Sequence, residues 1–291
     1  VLAAAAATPG LGSWYFDPAA ALLLASGALY WIGGRRTVTP TRLARSQRVR
    51  SAAFYVSLAT VFLALDSPIE DYSKELFWVH MIQHVLLMLV AAPLLVFSCP
   101  WIRLFRALPL SWRRWLARGL AQGERTAPLR SLARFLGRPV TSLVLWSVVL
   151  LGWHVPVMFN ATLHSEWLHV LEHTLFFSTS VLLFKQVIPS APLRASLAAP
   201  QRVVYSIVAM IVSWALAVIL ALSPKPLYPY YAHLTSRPGG ISALADQQLA
   251  AGIMWVPGSI TFLLIVFVYV HRWLAQPEPG PNRAPRLAGE H

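Results

Sequence analysis

A single cysteine, Cys99, stands in a chain of 291 residues. That excludes a disulfide framework within the chain and a four-thiolate metal site. Charge is scarce as well. Charged residues make up 12% of the sequence, about half of the roughly 25% found in an ordinary soluble domain. So little polar surface cannot face water on all sides. Strict alternation of apolar and polar residues is missing, which argues against a membrane β-barrel. There is no internal repeat of the apolar segments. No nucleophile is paired with a base, and no phosphate-binding loop or dinucleotide fingerprint occurs. The chain therefore reads as a protein that is not an enzyme.

Apolar residues are abundant, at 57%, and they fall in long, nearly uncharged runs. Each run is close to the roughly 17–25 residues that a bilayer-crossing helix requires. Backbone groups in lipid must pair within their own segment, so these runs should be helical. The expected fold class is all-α, a polytopic membrane helix bundle of about seven spans. They lie at roughly 14–33, 51–66, 78–98, 139–159, 167–188, 200–222 and 248–274. Residues 1–276 are expected to form one transmembrane domain. Residues 277–291, rich in Pro, Gly and Arg, are expected to be a disordered cytoplasmic tail. The opening Val-Leu-Ala-Ala run lacks a basic flank, and no signal peptide is assigned to it.

The formal charge of +13 sorts by connector. Arg35, Arg36, Arg42, Arg45, Arg48 and Arg50 fill the first connector, and nine arginines from Arg103 to Arg138 fill the third. Lys185, Arg194 and Arg202 mark the fifth, and Arg272, Arg283 and Arg286 the tail. Of 24 basic residues only Lys74, Lys225 and Arg237 lie elsewhere. The positive-inside rule then places the amino terminus outside and the carboxyl terminus in the cytoplasm, and an odd number of spans preserves the alternation. Asp66, Glu70, Asp71 and Glu75 crowd the second, outer connector. The arginine runs are explained by topology and contact with anionic lipid. Trp112 and Trp115 among them suit an interfacial amphipathic segment better than a nucleic-acid site.

Histidine is the informative residue. His271 lies at an inner helix end and His291 closes the chain. The other seven, His80, His84, His154, His164, His169, His173 and His233, all fall on the outer side of a topology derived from Arg and Lys alone. His80, His84 and Met88 recur every four residues and so share one helix face. His169 and His173 repeat the spacing, with Glu172 between them. A lone interfacial histidine is ordinarily a hydrogen-bonded packing residue. Two pairs at metal-binding spacing on one side point to a shared metal or cofactor site. Imidazole suits copper, zinc and iron, and a thioether shifts preference toward cuprous copper. The candidate ligands are His80, His84, Met88, His154, His164, His169 and His173. Glu172 and Asp246 are candidates for ligands or for acceptors that orient a histidine. Asp246 also suits a cap on the last span. Cys99, at the inner end of its span, is a packing residue. Pro93 should kink the third span, and Tyr228, Tyr230 and Tyr231 suggest an aromatic belt in an outer connector.

Several of these segments together resemble a known family. His80-Met81-Ile82-Gln83-His84 leading into Ala92-Pro93-Leu94-Leu95, and Asp246-Gln247-Gln248 continuing to Met254-Trp255, are similar to motifs of the CtaG family of cytochrome c oxidase assembly factors. Phe16-Asp17-Pro18, Trp153-His154-Val155-Pro156 and the Glu166 to His173 segment match it as well. The resemblance implies a multi-pass protein of the bacterial inner membrane that helps supply copper, for which the thioether of Met88 suggests Cu(I), to a heme–copper oxidase. The implied partners are the oxidase subunit carrying the copper centre and a periplasmic copper donor. Three other readings of the histidines stay open. One is a bis-histidine heme using residues such as His84 and His173. Another is a zinc hydrolase with Glu172 as base. The last is a structural subunit of a respiratory membrane complex with no metal at all. Spacing alone does not say whether the third and fifth spans are neighbours.

Overall fold

The computed structural model describes Trp14 and residues 18–37, 43–192 and 197–275. Phe16, Asp17 and the 277–291 tail lie outside them. Among the described residues the fold is helical, without strands. The elements are α1 (Pro18–Arg35), α2 (Ala44–Leu65), α3 (Pro68–Glu75), α4 (Phe77–Val85), α5 (Ala92–Ser98), α6 (Trp101–Ala107) and α7 (Leu110–Gln122). They continue as α8 (Ala127–Leu136), α9 (Pro139–Trp153), α10 (Pro156–His164), α11 (Glu166–Val187), α12 (Ala199–Leu222), α13 (Pro229–Ala232) and α14 (Ala243–Leu274).

Among the described residues five helical segments are long and apolar enough to cross a membrane: α2, the continuous Phe77–Ser98 stretch, α11, α12 and α14. A sixth is reached only if Glu124–Leu136 and α9, bent by 79° at their junction, count as one span. Helices also occupy the expected first and fourth spans, but the fourth is shorter than the sequence suggests. Pro156 has no amide hydrogen to continue a helix and disfavours helical geometry at Val155. Helix α9 therefore stops at Trp153, and α10 begins anew with Pro156 in its first turn. The arginine-rich third connector folds mainly as α6, α7 and α8, with Trp112 and Trp115 exposed.

Pro93 acts in the way its chemistry dictates. It cannot donate to the Leu89 carbonyl and its ring crowds that oxygen. The chain responds with a π-helical turn at Leu86–Ala91 between α4 and α5. Carbonyls of this distorted turn accept side-chain bonds from neighbouring helices. Thr261 Oγ1 donates to the Leu89 carbonyl at 2.6 Å, and Ser57 Oγ donates to Ala91 at 2.8 Å. Lipid offers no such partner, so these side chains make the distortion tolerable inside an apolar bundle.

The helix ends sort into two groups. At one end α1, α2 and α6 meet through Arg36, which donates to the Ala107 carbonyl at 2.7 Å, and Arg103, which donates to Ser51 at 2.7 Å. At the same end Gln186 donates to the Gly137 carbonyl at 3.0 Å and Arg202 to Tyr269 at 2.6 Å. This end carries the arginines. The opposite end gathers the end of α2, the start of α4, the end of α9 and the starts of α11 and α14. There Gln83 donates to the Ala64 carbonyl at 2.8 Å and Gln247 to Leu220 at 3.0 Å. This end carries the histidines.

Candidate metal centre

The two histidine pairs face each other. The i, i+4 spacing sets His80 and His84 on one side of α4 and His169 and His173 on one side of α11. His80 Nε2 lies 3.0 Å from His84 Nε2. The ring centroids of His84 and His173 are 5.5 Å apart, and those of His80 and His169 are 5.1 Å apart. Glu172 sits between the pairs, fully buried, with its two oxygens 3.8 Å from His80 Nε2 and His84 Nε2. His80, His84, Glu172 and His173 each present one donor atom, all within 4.8 Å of one another.

The hydrogen-bonding of this group is incomplete. His84 Nδ1, His154 Nε2, His169 Nε2, His173 Nε2 and both Glu172 oxygens are buried without a hydrogen-bond partner. The Thr162 hydroxyl beside Glu172 donates instead to the Phe159 carbonyl at 2.8 Å. Each unsatisfied buried polar atom costs about 1–3 kcal/mol. Six at one place are difficult to explain by packing. A tetrahedral ion bonded at about 2.0–2.2 Å would need its donors roughly 3.5 Å apart, which small side-chain movements supply from the spacing seen. Three imidazoles and a carboxylate suit copper, zinc or iron. The residues present therefore fit a metal ion.

His154 reaches the edge of the group. Its Nδ1 bonds the Leu150 carbonyl at 2.7 Å, which leaves Nε2 turned away from its own helix, and its ring lies 5.7 Å from that of His84. Met88 is buried one turn deeper, where it lines a cavity of about 20 Å³ with His84, His154, Met254, Trp146 and Ser213. His169 adjoins the group and points Nδ1 toward Glu70 at 3.5 Å. His164 stands apart. It is exposed at the end of α10, bonded to the Asn160 carbonyl at 2.7 Å, with its ring against Tyr230.

Asp246 does not touch the histidines. Ser242 caps α14, accepting from the Ala245 amide, and Asp246 crosses to a different helix. Its oxygens accept the backbone amides of Phe77 at 3.0 Å and Trp78 at 2.9 Å, so it caps α4, the helix that carries His80 and His84.

Several residues near the group carry no metal-binding signature in the sequence. Gln83 Nε2 donates both to Ala64 and to Glu70, the latter at 2.8 Å, and so ties α2 and α3 to α4. Tyr228 and Tyr231 are not an interfacial belt. Both are buried, with Tyr228 donating to the His154 carbonyl at 3.0 Å and Tyr231 to the Ser73 carbonyl. Burial pushes both phenols above their ordinary range, so they remain neutral donors. The Tyr231 oxygen also lies 3.3 Å from His80 Nδ1. The only foreshadowing of these roles is that Gln83 lies inside the His80–His84 segment.

The structure defines a helical membrane protein with a buried histidine–carboxylate group at the end opposite most of its arginines. The chain belongs to the family described as cytochrome c oxidase caa3 assembly factor, which it matches over residues 13–276. It is 23% identical over 249 residues to an uncharacterised protein of Mycobacterium bovis, and equally so to one of Mycobacterium tuberculosis. Each match takes in 82% of this chain and 36% of the relative, so the chain spans about a third of the length of these curated relatives. No solved structure matches the chain.

Proposed function

We propose that this chain serves assembly of a heme–copper cytochrome c oxidase by holding a copper ion at His80, His84, Glu172 and His173 and passing it to the oxidase subunit that carries the copper centre. The observation that supports this most directly is the set of six buried donor atoms without partners, contributed mainly by two facing helices. His169, His154 and Met88 surround the group and offer further donors for ligand exchange. Imidazole serves both copper oxidation states. The thioethers of Met88 and Met254 beside His84 favour Cu(I). Family membership supports the oxidase as partner and a role that is not catalytic.

On the charge-based topology the histidine end faces the periplasm and the arginine end the cytoplasm of a bacterial inner membrane. Copper would arrive from a periplasmic donor and leave without crossing the bilayer. A single ion suits the site better than a porphyrin. His84 packs against His80, His173 and Phe176 with ring centroids 4.5, 5.5 and 4.6 Å away, and the cavity beside it is only about 20 Å³.

The test is elemental analysis of the purified chain after incubation with cuprous ion, and in parallel with zinc, followed by removal of excess metal. Wild type is compared with His80→Ala/His84→Ala and His169→Ala/His173→Ala. About one copper per chain in wild type, lost in both double variants, is expected. Stoichiometric zinc with no copper would overturn the assignment of the cargo. No metal above background in wild type would overturn the site.

A further inference from the structure

A second cavity lies at the other end of the molecule. It measures about 290 Å³ and sits between α1, α2 and α6. We infer that it binds the phosphate group of an anionic phospholipid, with Arg103 and Arg35 as the recognising cations.

Arg103 is half-buried and all its partners are neutral. It donates to Ser51 Oγ at 2.7 Å and to Gln47 Oε1 at 3.2 Å, and it lies 4.9 Å from the centre of the Tyr30 ring. Arg35 lines the same cavity and rests 4.3 Å over Trp31. Among the described residues neither arginine is paired with a carboxylate. A guanidinium held by neutral acceptors keeps its full charge and can take a phosphate through paired N–H bonds. The volume is near the lower end of small-molecule sites, about 300–1,000 Å³, and suits a headgroup.

The rim selects lipid over a free anion. Trp31 and Tyr55 line the cavity and are 54% and 41% exposed, as aromatic residues at headgroup level are. Leu24 is exposed two helical turns along α1 from Trp31, and residues seven apart share a helix face. An acyl chain therefore has an apolar track leading away from the arginines. Basic pockets between spans are a known way of holding anionic headgroups. Gly34 keeps the mouth open: a side chain there would begin 3.5 Å from the Arg103 guanidinium, in ordinary contact and without disturbing backbone.

The test is native mass spectrometry of the full chain in detergent, titrated separately with phosphatidylglycerol, phosphatidylcholine and inorganic phosphate. Wild type is compared with Arg103→Gln, with Gly34→Leu, which fills the cavity while keeping both arginines, and with Arg114→Gln, an exposed arginine of α7, as control. Wild type is expected to retain phosphatidylglycerol in preference to phosphatidylcholine. Retention should fall about fivefold in Arg103→Gln and by a similar factor in Gly34→Leu, but not in Arg114→Gln. Equal retention of the two lipids, or no difference between Gly34→Leu and the control, would overturn the proposal. So would displacement of phosphatidylglycerol by millimolar inorganic phosphate, which would assign the cavity to a free anion. Gly34→Leu guards against misreading a folding defect in Arg103→Gln.

Discussion

The Asp246 carboxylate caps a helix 168 residues earlier in the chain, accepting the amide of Trp78 through one oxygen and that of Phe77 through the other. An acidic residue in the first turn of α14 thus also neutralises the positive end of α4. Asp246→Ala leaves one buried and one half-buried amide without acceptors and should cost about 1–3 kcal/mol. Asp246→Asn, with one acceptor oxygen, should fall between. Thermal unfolding in detergent measures both, and an Asp246→Ala protein as stable as wild type would contradict the capping role.

Tyr231 gives its proton to the Ser73 carbonyl, so its oxygen is left to accept from His80 Nδ1. That fixes the proton on Nδ1 and turns the Nε2 lone pair toward His84 and Glu172. Tyr231→Phe removes this constraint. Loss of such an outer partner typically weakens metal binding about 10–100-fold. Competition with a chelating indicator reads the change, with unaltered affinity arguing that the phenol only packs.

His164 and His173 belonged to one candidate set in the sequence, but the fold separates them. His164→Ala should leave metal stoichiometry and affinity unchanged, because its ring is exposed and bonded within its own helix. His173→Ala removes a donor of the four-residue group and should lower affinity by at least tenfold. Equal losses in the two variants would mean that the ion sits nearer α10 than the geometry allows.

Thr261→Val tests the repair around Pro93. The substitution keeps the shape but removes the hydroxyl that serves the Leu89 carbonyl. The expected loss is about 0.6–2 kcal/mol, the range for hydrogen bonds between membrane helices. Denaturation monitored by tryptophan fluorescence would show it. A neutral result would mean that the π-helical turn satisfies that oxygen by itself.

Local patterns in the sequence translate directly into this structure, and relations between distant segments do not. The i, i+4 histidine pairs lie on the expected helices because that spacing is a property of one helix. Their meeting depends on the Phe77–Ser98 stretch packing beside α11 through its π-helical turn and α5, which no local pattern encodes. Pro93 announced a distortion, but not that Thr261 and Ser57 from other helices would donate to its carbonyls. The expected 139–159 span overran because its apolar run continues through Val155 and Pro156, where backbone chemistry outweighs hydropathy. Tyr228 and Tyr231 look like belt residues by composition. Their hydroxyls instead find carbonyls 74 and 158 residues away. Glu70 is indistinguishable in sequence from its acidic neighbours until Gln83 and His169 approach it.

Because the donor group straddles α4 and α11, an ion bound there is a cross-link between two segments of the chain about ninety residues apart. Any ion that prefers the folded form raises the unfolding temperature with its concentration, following RT ln(1 + [L]/Kd). A melting curve therefore doubles as an occupancy gauge. Under the proposed delivery role it also sets a thermodynamic condition, since a recipient would have to bind the ion more tightly than the clasp it loosens, and the emptied protein should be the softer of the two states at its histidine pole.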